Sequence, residues 1–228
     1  MVRRERSGRE FRMQRPFILG ALFVGGIVGS RLYHRRNGNW GATNAEATAA
    51  LPGDELVPDG RVSTMAITIG TTPEKVWPWL VQMGADRAGL YSHEWVENGL
   101  FHLDFHNAER IVPEWQHLQV GDVLRYVRPR PGKPDIGPQV IAITPGRELI
   151  TAMGEAPEWA ATWQFILRPI GADHTRLLVR LRVTRHMPWF AALPMTVLEP
   201  GFDYMSIAMI RGIARRAEAH DGPVPLVA

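Results

Sequence analysis

The 228-residue chain is 45% hydrophobic and 21% charged, typical of one globular domain with an appendage, and its lack of cysteine excludes disulfides, thiolate metal sites and a cysteine nucleophile. Nine arginines and two acidic residues give residues 1–36 a formal charge of +7, which leaves −4 on the rest of the chain. The basic charge thus belongs to an N-terminal arm, so we expect anionic lipid, and no nucleic acid, as its partner.

Residues 16–30 form a run without any charged side chain. As a helix the run spans about 22 Å. That is less than the ~30 Å hydrocarbon core of a bilayer, and Leu32 and Tyr33 beyond Arg31 would lengthen it. We interpret residues 16–33 as a single-pass membrane anchor helix, with a cleaved signal peptide and a helix packed on the domain as alternatives. The six arginines before the run and the three after it favour a cytoplasmic N-terminus, with the domain outside.

The chain divides into a basic arm with the anchor (residues 1–36), a connector (37–61), a folded domain (62–220) and a tail (221–228). The connector is polar and rich in small side chains, which predicts at most one short helix. The alternation of apolar and polar residues in 62–69 predicts the first strand of the domain.

Two short helices are predicted after this strand. Residues 71–74 (TTPE) mark the start of the first, with Thr71 as its N-cap and Glu74 placed to complete a capping box. We expect a kink at Pro78, because proline removes a backbone hydrogen bond. The second helix covers residues 92–101.

From residue 123 onward the pattern predicts strands and one final helix. The strands cover residues 123–127, 139–143, 148–153, 162–170 and 175–185. The last two alternate apolar residues with glutamine or arginine, which predicts a sheet covered on one face and solvated by arginine on the other. The final helix, from Glu199 to His220, carries an apolar stripe. This order predicts an α+β fold in which a curved antiparallel sheet of about six strands surrounds a long C-terminal helix.

Several short runs are distinctive beyond their periodicity. They are residues 39–43 (NWGAT), 51–54 (LPGD), 76–84 (VWPWLVQMG), 87–92 (RAGLYS), 108–114 (AERIVPE), 120–122 (VGD) and 175–177 (TRL). These runs resemble bacterial members of the SRPBCC superfamily, which includes START lipid-transfer domains and the polyketide cyclase/dehydrase group. The resemblance covers residues 39–219. It implies the helix-grip (START-like) fold, with an internal cavity between the sheet and the final helix.

We expect this cavity to hold a small hydrophobic molecule, either a lipid or a polyketide-like compound. The candidate wall residues are Trp77, Tyr91, Trp95, Asn98, Trp163, Phe165, Met205 and Met209. Apolar residues at this spacing also suit a packed core, and the sequence leaves the two interpretations open. No known metal-ligand spacing or dinucleotide fingerprint occurs, so we expect neither a metal nor a cofactor.

Three functions remain open at this point. The leading hypothesis is binding or carriage of the hydrophobic molecule by a protein tethered at the membrane. The second is a cyclase or dehydratase, with Tyr91 and Glu97 as proton carriers and Arg110 as an electrophilic clamp. Alternatively, Tyr91 and Trp95 anchor the core, and Glu97 forms an ion pair with Arg110. The third hypothesis is a protein-interaction or stress-response module that uses its outer surface.

Overall fold

The computed structural model describes residues 25–99, 104, 106–186 and 189–220. Within these residues, five strands pair antiparallel into one sheet of order β1-β5-β4-β3-β2. The strands are β1 (Arg61–Ile69), β2 (Gln139–Thr144), β3 (Glu148–Gly154), β4 (Trp159–Ile170) and β5 (His174–Val183). The helices are α1 (residues 25–37), α2 (Asn44–Thr48), α3 (Pro73–Val81), α4 (Glu94–Gly99) and α5 (Trp189–Ala219).

Helices α3 and α5 pack on the sheet and on each other, with α5 beside β1. The main core lies between them, and Leu80, Phe165, Leu177 and Ile210 are fully buried there. The predicted α+β helix-grip architecture is therefore confirmed, because a single antiparallel sheet holds a long C-terminal helix against its apolar face.

The predicted strand at residues 123–127 is wrong. This segment is irregular, with one isolated bridge between Val123 and Gln139. It follows the chain before β2 through two hydrogen bonds, Leu124 N to Pro138 O (2.9 Å) and Tyr126 N to Ile136 O (2.7 Å). Pro138 has no N–H to donate in return, so a regular ladder cannot form at this point.

The N-terminal caps also differ from the prediction. Helix α3 begins at Pro73 after an N-cap at Thr72, and no side chain caps it, so the capping box expected from Thr71 is wrong. The carbonyl of Thr71 instead accepts a hydrogen bond from the Thr175 hydroxyl at 2.6 Å. A capping box is present in the connector, where Thr43 and Glu46 open α2.

The arginines of β5 all contact the connector, which corrects the prediction of a sheet covered on one face only. Arg180 is 1% exposed, because the connector folds over this face of the sheet. Its guanidinium contacts Asp54 Oδ2 (2.7 Å), Ala49 O (2.7 Å) and Glu46 O (2.8 Å). A second, smaller core lies beside it and contains Leu51, Ala66, Ile150, Ile166 and Leu178.

Helix α5 begins at Trp189, well before the predicted start at Glu199, and includes Pro194 and Pro200. Because proline has no N–H, the carbonyl of Thr196, four residues before Pro200, lacks its helical donor. The hydroxyl of Ser30 in α1 donates to this carbonyl, and both residues are buried. A side chain from α1 thus satisfies the group that Pro200 leaves open.

Helix α1 runs parallel to α5, because its contacts advance along both helices together. After Ser30 at Thr196, His34 Nδ1 lies 2.8 Å from Asp203 Oδ2. This agrees with the alternative of a helix packed on the domain. Residues 16–24 of the expected anchor lie outside the described residues, and no helix in the described part of the chain has the length and apolar character to span a bilayer.

We predict that replacing Arg180 with Met destabilises the protein by about 3–5 kcal/mol, because Asp54 and the connector carbonyls lose a buried partner. Arg168→Met in β4 is the matched control, since Arg168 is exposed and its loss should have little effect. Urea denaturation of both variants measures the difference. Equal unfolding midpoints for the two variants would contradict the role assigned to Arg180.

We also predict a pH-dependent contribution from the α1–α5 contact. The hydrogen bond that the His34 imidazolium donates to Asp203 raises the pKa of His34 above its ordinary value of 6.5. The contact therefore stabilises the fold fully below pH 6.5, and this stability is lost as the pH rises through the raised pKa. The melting-temperature difference between wild type and His34→Gln should shrink over this range. His174→Gln, at an exposed pair with Asp173, is the control.

Candidate functional site

Several residues expected to line an internal cavity are packed in the main core. Phe165 is completely buried, Met209 and Trp77 are nearly so, and all three belong to one cluster of buried side chains. Trp163 is partly buried, and its ring centroid lies 4.7 Å from that of Phe165. These side chains fill space between the sheet and the helices.

The remaining candidate wall residues differ in their exposure to solvent. Trp95 is 69% exposed, so it anchors no core. Asn98 and Met205 are half-buried. Tyr91 is buried, and its hydroxyl lies 3.0 Å from both Gln82 Nε2 and Trp79 O.

The three catalytic candidates do not form one hydrogen-bonded group within the described residues. Burial raises the pKa of Tyr91 further above neutrality, which makes it a poor proton carrier. Glu97 is buried and accepts a hydrogen bond from the Ser92 hydroxyl, and burial raises the pKa of its carboxyl group. Arg110 is exposed and forms no ion pair with Glu97, so the structural pair proposed as an alternative is not present either.

A cleft of about 390 Å³ opens between α1, the segment before α4, and α5. The lining residues are Tyr33, Asn37, Trp40, Tyr91, Ser92, His93, Tyr204, Ile207, Ala208, Arg211, Gly212 and Arg215. None of them belongs to a strand. The cleft therefore lies outside the sheet-facing space where the helix-grip resemblance places a cavity.

Aromatic rings form much of the cleft. The ring of His93 stacks on Tyr204 with centroids 4.8 Å apart. A second contact in the lining places the guanidinium carbon of Arg211 4.9 Å from the ring centroid of Trp40. The two contacts bring flat, polarisable surfaces and a cation to one opening, an arrangement that suits a ligand with an apolar or aromatic body.

Close approach of the backbone shapes the floor of this cleft. A side chain at Gly212 would overlap the carbonyl oxygen of Tyr91. The absence of a Cβ at Gly212 thus lets the segment that carries Ser92 and His93 lie directly against α5.

The charge of the cleft is positive. Arg211 and Arg215 are exposed, neither forms an ion pair within the described part of the chain, and the lining contains no carboxylate. The adjacent Arg216 differs, since it is buried, forms an ion pair with Glu109 and lies 5.0 Å from the Tyr91 ring centroid. Arg216 therefore has a structural role, whereas Arg211 and Arg215 are uncompensated cations among the described residues.

A smaller cleft of about 210 Å³ adjoins the first and shares Arg215 with it. Its other lining residues are Trp79, Glu109, Arg216, Ala219 and His220. The ion pair between Glu109 and Arg216 lies within this cleft, so the charge of Arg216 is compensated there and that of Arg215 is not.

The sequence analysis missed the residues that define the main cleft. Tyr204, Ala208, Arg211 and Arg215 follow one another at steps of four, three and four along α5, which is a helical stripe separate from the apolar one. That stripe could have been found from the sequence. The opposing Trp40 could not, because no local pattern connects residues so distant in the chain.

No family model and no curated protein matches the chain. Among solved structures, it is similar to the Aha1 dimer from Colwellia psychrerythraea, with 15% identity, coverage of 71% of this chain and 99% of that chain, and a TM-score of 0.40. It is also similar to a Polyketide_cyc-like protein from Corynebacterium glutamicum, with 14% identity, coverage of 73% and 100%, and a TM-score of 0.42. A conserved protein of unknown function from Enterococcus faecalis matches at 12% identity, coverage of 87% and 89%, and a TM-score of 0.37.

We predict that Gly212→Ala destabilises the protein, although alanine favours a helix interior over glycine by about 1 kcal/mol. The added methyl group must displace the Tyr91 backbone. Gly201→Ala in the same helix is the control, because nothing lies within 4 Å of its added Cβ, and it should stabilise the protein. Thermal unfolding measures both changes, and a shift of the same sign in both would contradict the close contact at Gly212.

Proposed function

We propose that this protein binds a small amphipathic ligand in the cleft between α1 and α5. The ligand has an anionic group, a carboxylate or a phosphate, and an apolar or aromatic body. The observation that carries the proposal is the pair Arg211 and Arg215, which lack carboxylate partners within the described residues and line an aromatic cleft. Guanidinium groups bind such anions through paired hydrogen bonds.

This proposal retains the expected class of function and changes the place of the ligand. A hydrophobic ligand was expected between the sheet and the final helix, where Phe165 and Met209 are packed among other core residues. The outer cleft offers both room and polar groups that orient a ligand, as small-molecule sites require. Binding is favoured over a cyclase or dehydratase, because Tyr91, Glu97 and Arg110 do not form a joint hydrogen-bonded group.

We further propose that the N-terminal segment tethers the protein to a membrane. The support is in the sequence, where the uncharged run of residues 16–30 lies between arginine-rich flanks. Arginine beside an apolar run is attracted to anionic head groups. The tether would hold the cleft near the bilayer, where amphipathic molecules concentrate.

The ligand proposal predicts that full-length protein binds octanoate and octyl phosphate more tightly than 1-octanol in isothermal titration calorimetry. Replacing Arg211 and Arg215 together with Gln should weaken anion binding by tenfold or more, since a hydrogen bond to a charged group contributes about 1.5–3 kcal/mol. Binding of 1-octanol should change little, because it makes no ion pair.

Arg168→Gln is the matched control, since Arg168 is equally exposed and lies in β4, away from the cleft. It should bind the anions as wild type does. Equal affinity for octanoate and 1-octanol, or undiminished anion binding by the double variant, would remove the basis for an anion site at this cleft.

A further inference from the structure

The first part of α5 projects beyond the sheet. At one end of β1, Arg61 Nη1 contacts Glu199 Oε1 at 2.6 Å, and just past the other end Gly70 N contacts Glu218 Oε1 at 2.8 Å. From Arg61 to Gly70 an extended chain rises about 30 Å, and from Glu199 to Glu218 a helix rises about 28 Å. Helix α5 thus runs alongside β1, and the part of α5 before Glu199 extends beyond the first residue of that strand.

This overhang consists of residues 189–198 of α5, about 15 Å of helix, accompanied by the first part of α1. It contains no charged residue, and its sequence includes Trp189 and Phe190. Contact with α1 at Ser30 keeps the two helices side by side there. Among the described residues no strand runs the length of the overhang, because β1 begins at Arg61, opposite Glu199, and β4 begins at Trp159, only two residues beyond that level.

Apolar side chains are exposed on both helices at this end. On α5 they are Val197 and Leu198, which is 48% exposed, and on α1 they are Val28 and Leu32, which is 59% exposed. Adjacent exposed apolar residues of this size mark an interaction surface. The overhang is too short to cross a bilayer, yet its length suits insertion to the depth of the head-group boundary.

The charges around the overhang favour a lipid surface. Arg31, Arg35 and Arg36 on α1 and Arg185 before α5 are exposed, without ion-pair partners in the described part of the chain. Two acidic residues of α5 near this level are already paired, Glu199 with Arg61 and Asp203 with His34. Three further acidic residues are exposed at the same end of the sheet, Asp59, Glu155 and Glu158. They lie on the turns before β1 and between β3 and β4, and therefore not on α1 or α5.

The sequence around the start of α1 also combines positive charge with apolar residues. The uncharged run of residues 16–30 includes the first six residues of α1, and six further arginines lie before the run in the sequence. An apolar surface with arginines beside it matches the layering of an anionic bilayer, with acyl chains inside and phosphates at the boundary.

We infer that the overhang of α5, together with α1, docks on an anionic lipid bilayer. This inference rests on the proposed N-terminal tether and extends it, since α5 becomes a second element in contact with lipid. The parallel pairing of the two helices places the uncharged residues 25–30 of α1 beside the uncharged residues 189–198 of α5. Insertion of this pair fixes the orientation of the domain on the membrane, which attachment through one segment alone does not.

The natural absence of cysteine permits a direct test. Single cysteines replace Leu198 in the overhang and Val120, an exposed apolar residue in the loop before β2, and each full-length variant is labelled with an environment-sensitive fluorophore. Vesicles of phosphatidylcholine with phosphatidylglycerol are then added. We expect a blue shift at Leu198→Cys, quenching there by lipids that carry a quencher on their acyl chains, and neither effect at Val120→Cys. Leu32→Cys on α1 should behave as Leu198→Cys does.

The other outcomes distinguish this inference from the tether. Vesicle binding without a blue shift at Leu198→Cys overturns docking of α5 and leaves the N-terminal tether intact. No vesicle binding at all overturns both. A blue shift that needs no vesicles and grows with protein concentration shows that a second copy covers the overhang, which also overturns lipid docking. Thermal unfolding of each labelled variant verifies that it remains folded.

Discussion

The contact between α1 and α5 is the constraint on which the functional surface depends. Pro200 leaves the Thr196 carbonyl without its helical donor, and the Ser30 hydroxyl satisfies it. The ion pair of His34 with Asp203 lies about one turn further along α1 and about two turns further along α5, and it fixes their parallel direction. Because these two contacts set the register of α1, they also place Trp40 opposite Arg211. A shift of one turn would separate the aromatic and cationic walls of the cleft.

The strands of the sheet could be predicted from sequence, because alternation with a period of two survives in β4 and β5 whatever covers the sheet. The surroundings of the second face could not. The arginines at 176, 180 and 182 look the same in the sequence whether their guanidinium groups contact water or protein carbonyls. Arg180 is buried because the connector, which has no periodicity of its own, lies across it. The low pKa of Glu46, about 2, has the same origin, since the hydrogen bond from Arg176 holds that carboxyl group ionised.

The candidate site was less predictable than the fold, for a physical reason. Phe165 and Met209 are apolar side chains of the kind that line ligand cavities. Such side chains also form a packed core wherever their neighbours can fill the space, because their burial is favourable. The cleft depends instead on α1, which was interpreted from sequence as a membrane helix because its first part is uncharged. Both interpretations draw on the same apolar character. The buried contact of Ser30 with Thr196 shows that this character does not exclude packing on the domain.

The proposed ligand site and the proposed lipid surface both lie along α5, and the distance between them relates ligand binding to the membrane. Tyr204, at the near edge of the cleft, lies eight residues after Thr196, or about 12 Å along the helix. An amphipathic anion in a bilayer keeps its head group at the boundary, the level assigned to Arg31 and Arg185. Each methylene exposed to water during transfer costs about 0.8 kcal/mol. The cleft begins one to three helical turns from the boundary, so a ligand that moves into it exposes its methylene groups to water over a short distance only. Arg211 and Arg215, further along the helix, would then receive the head group.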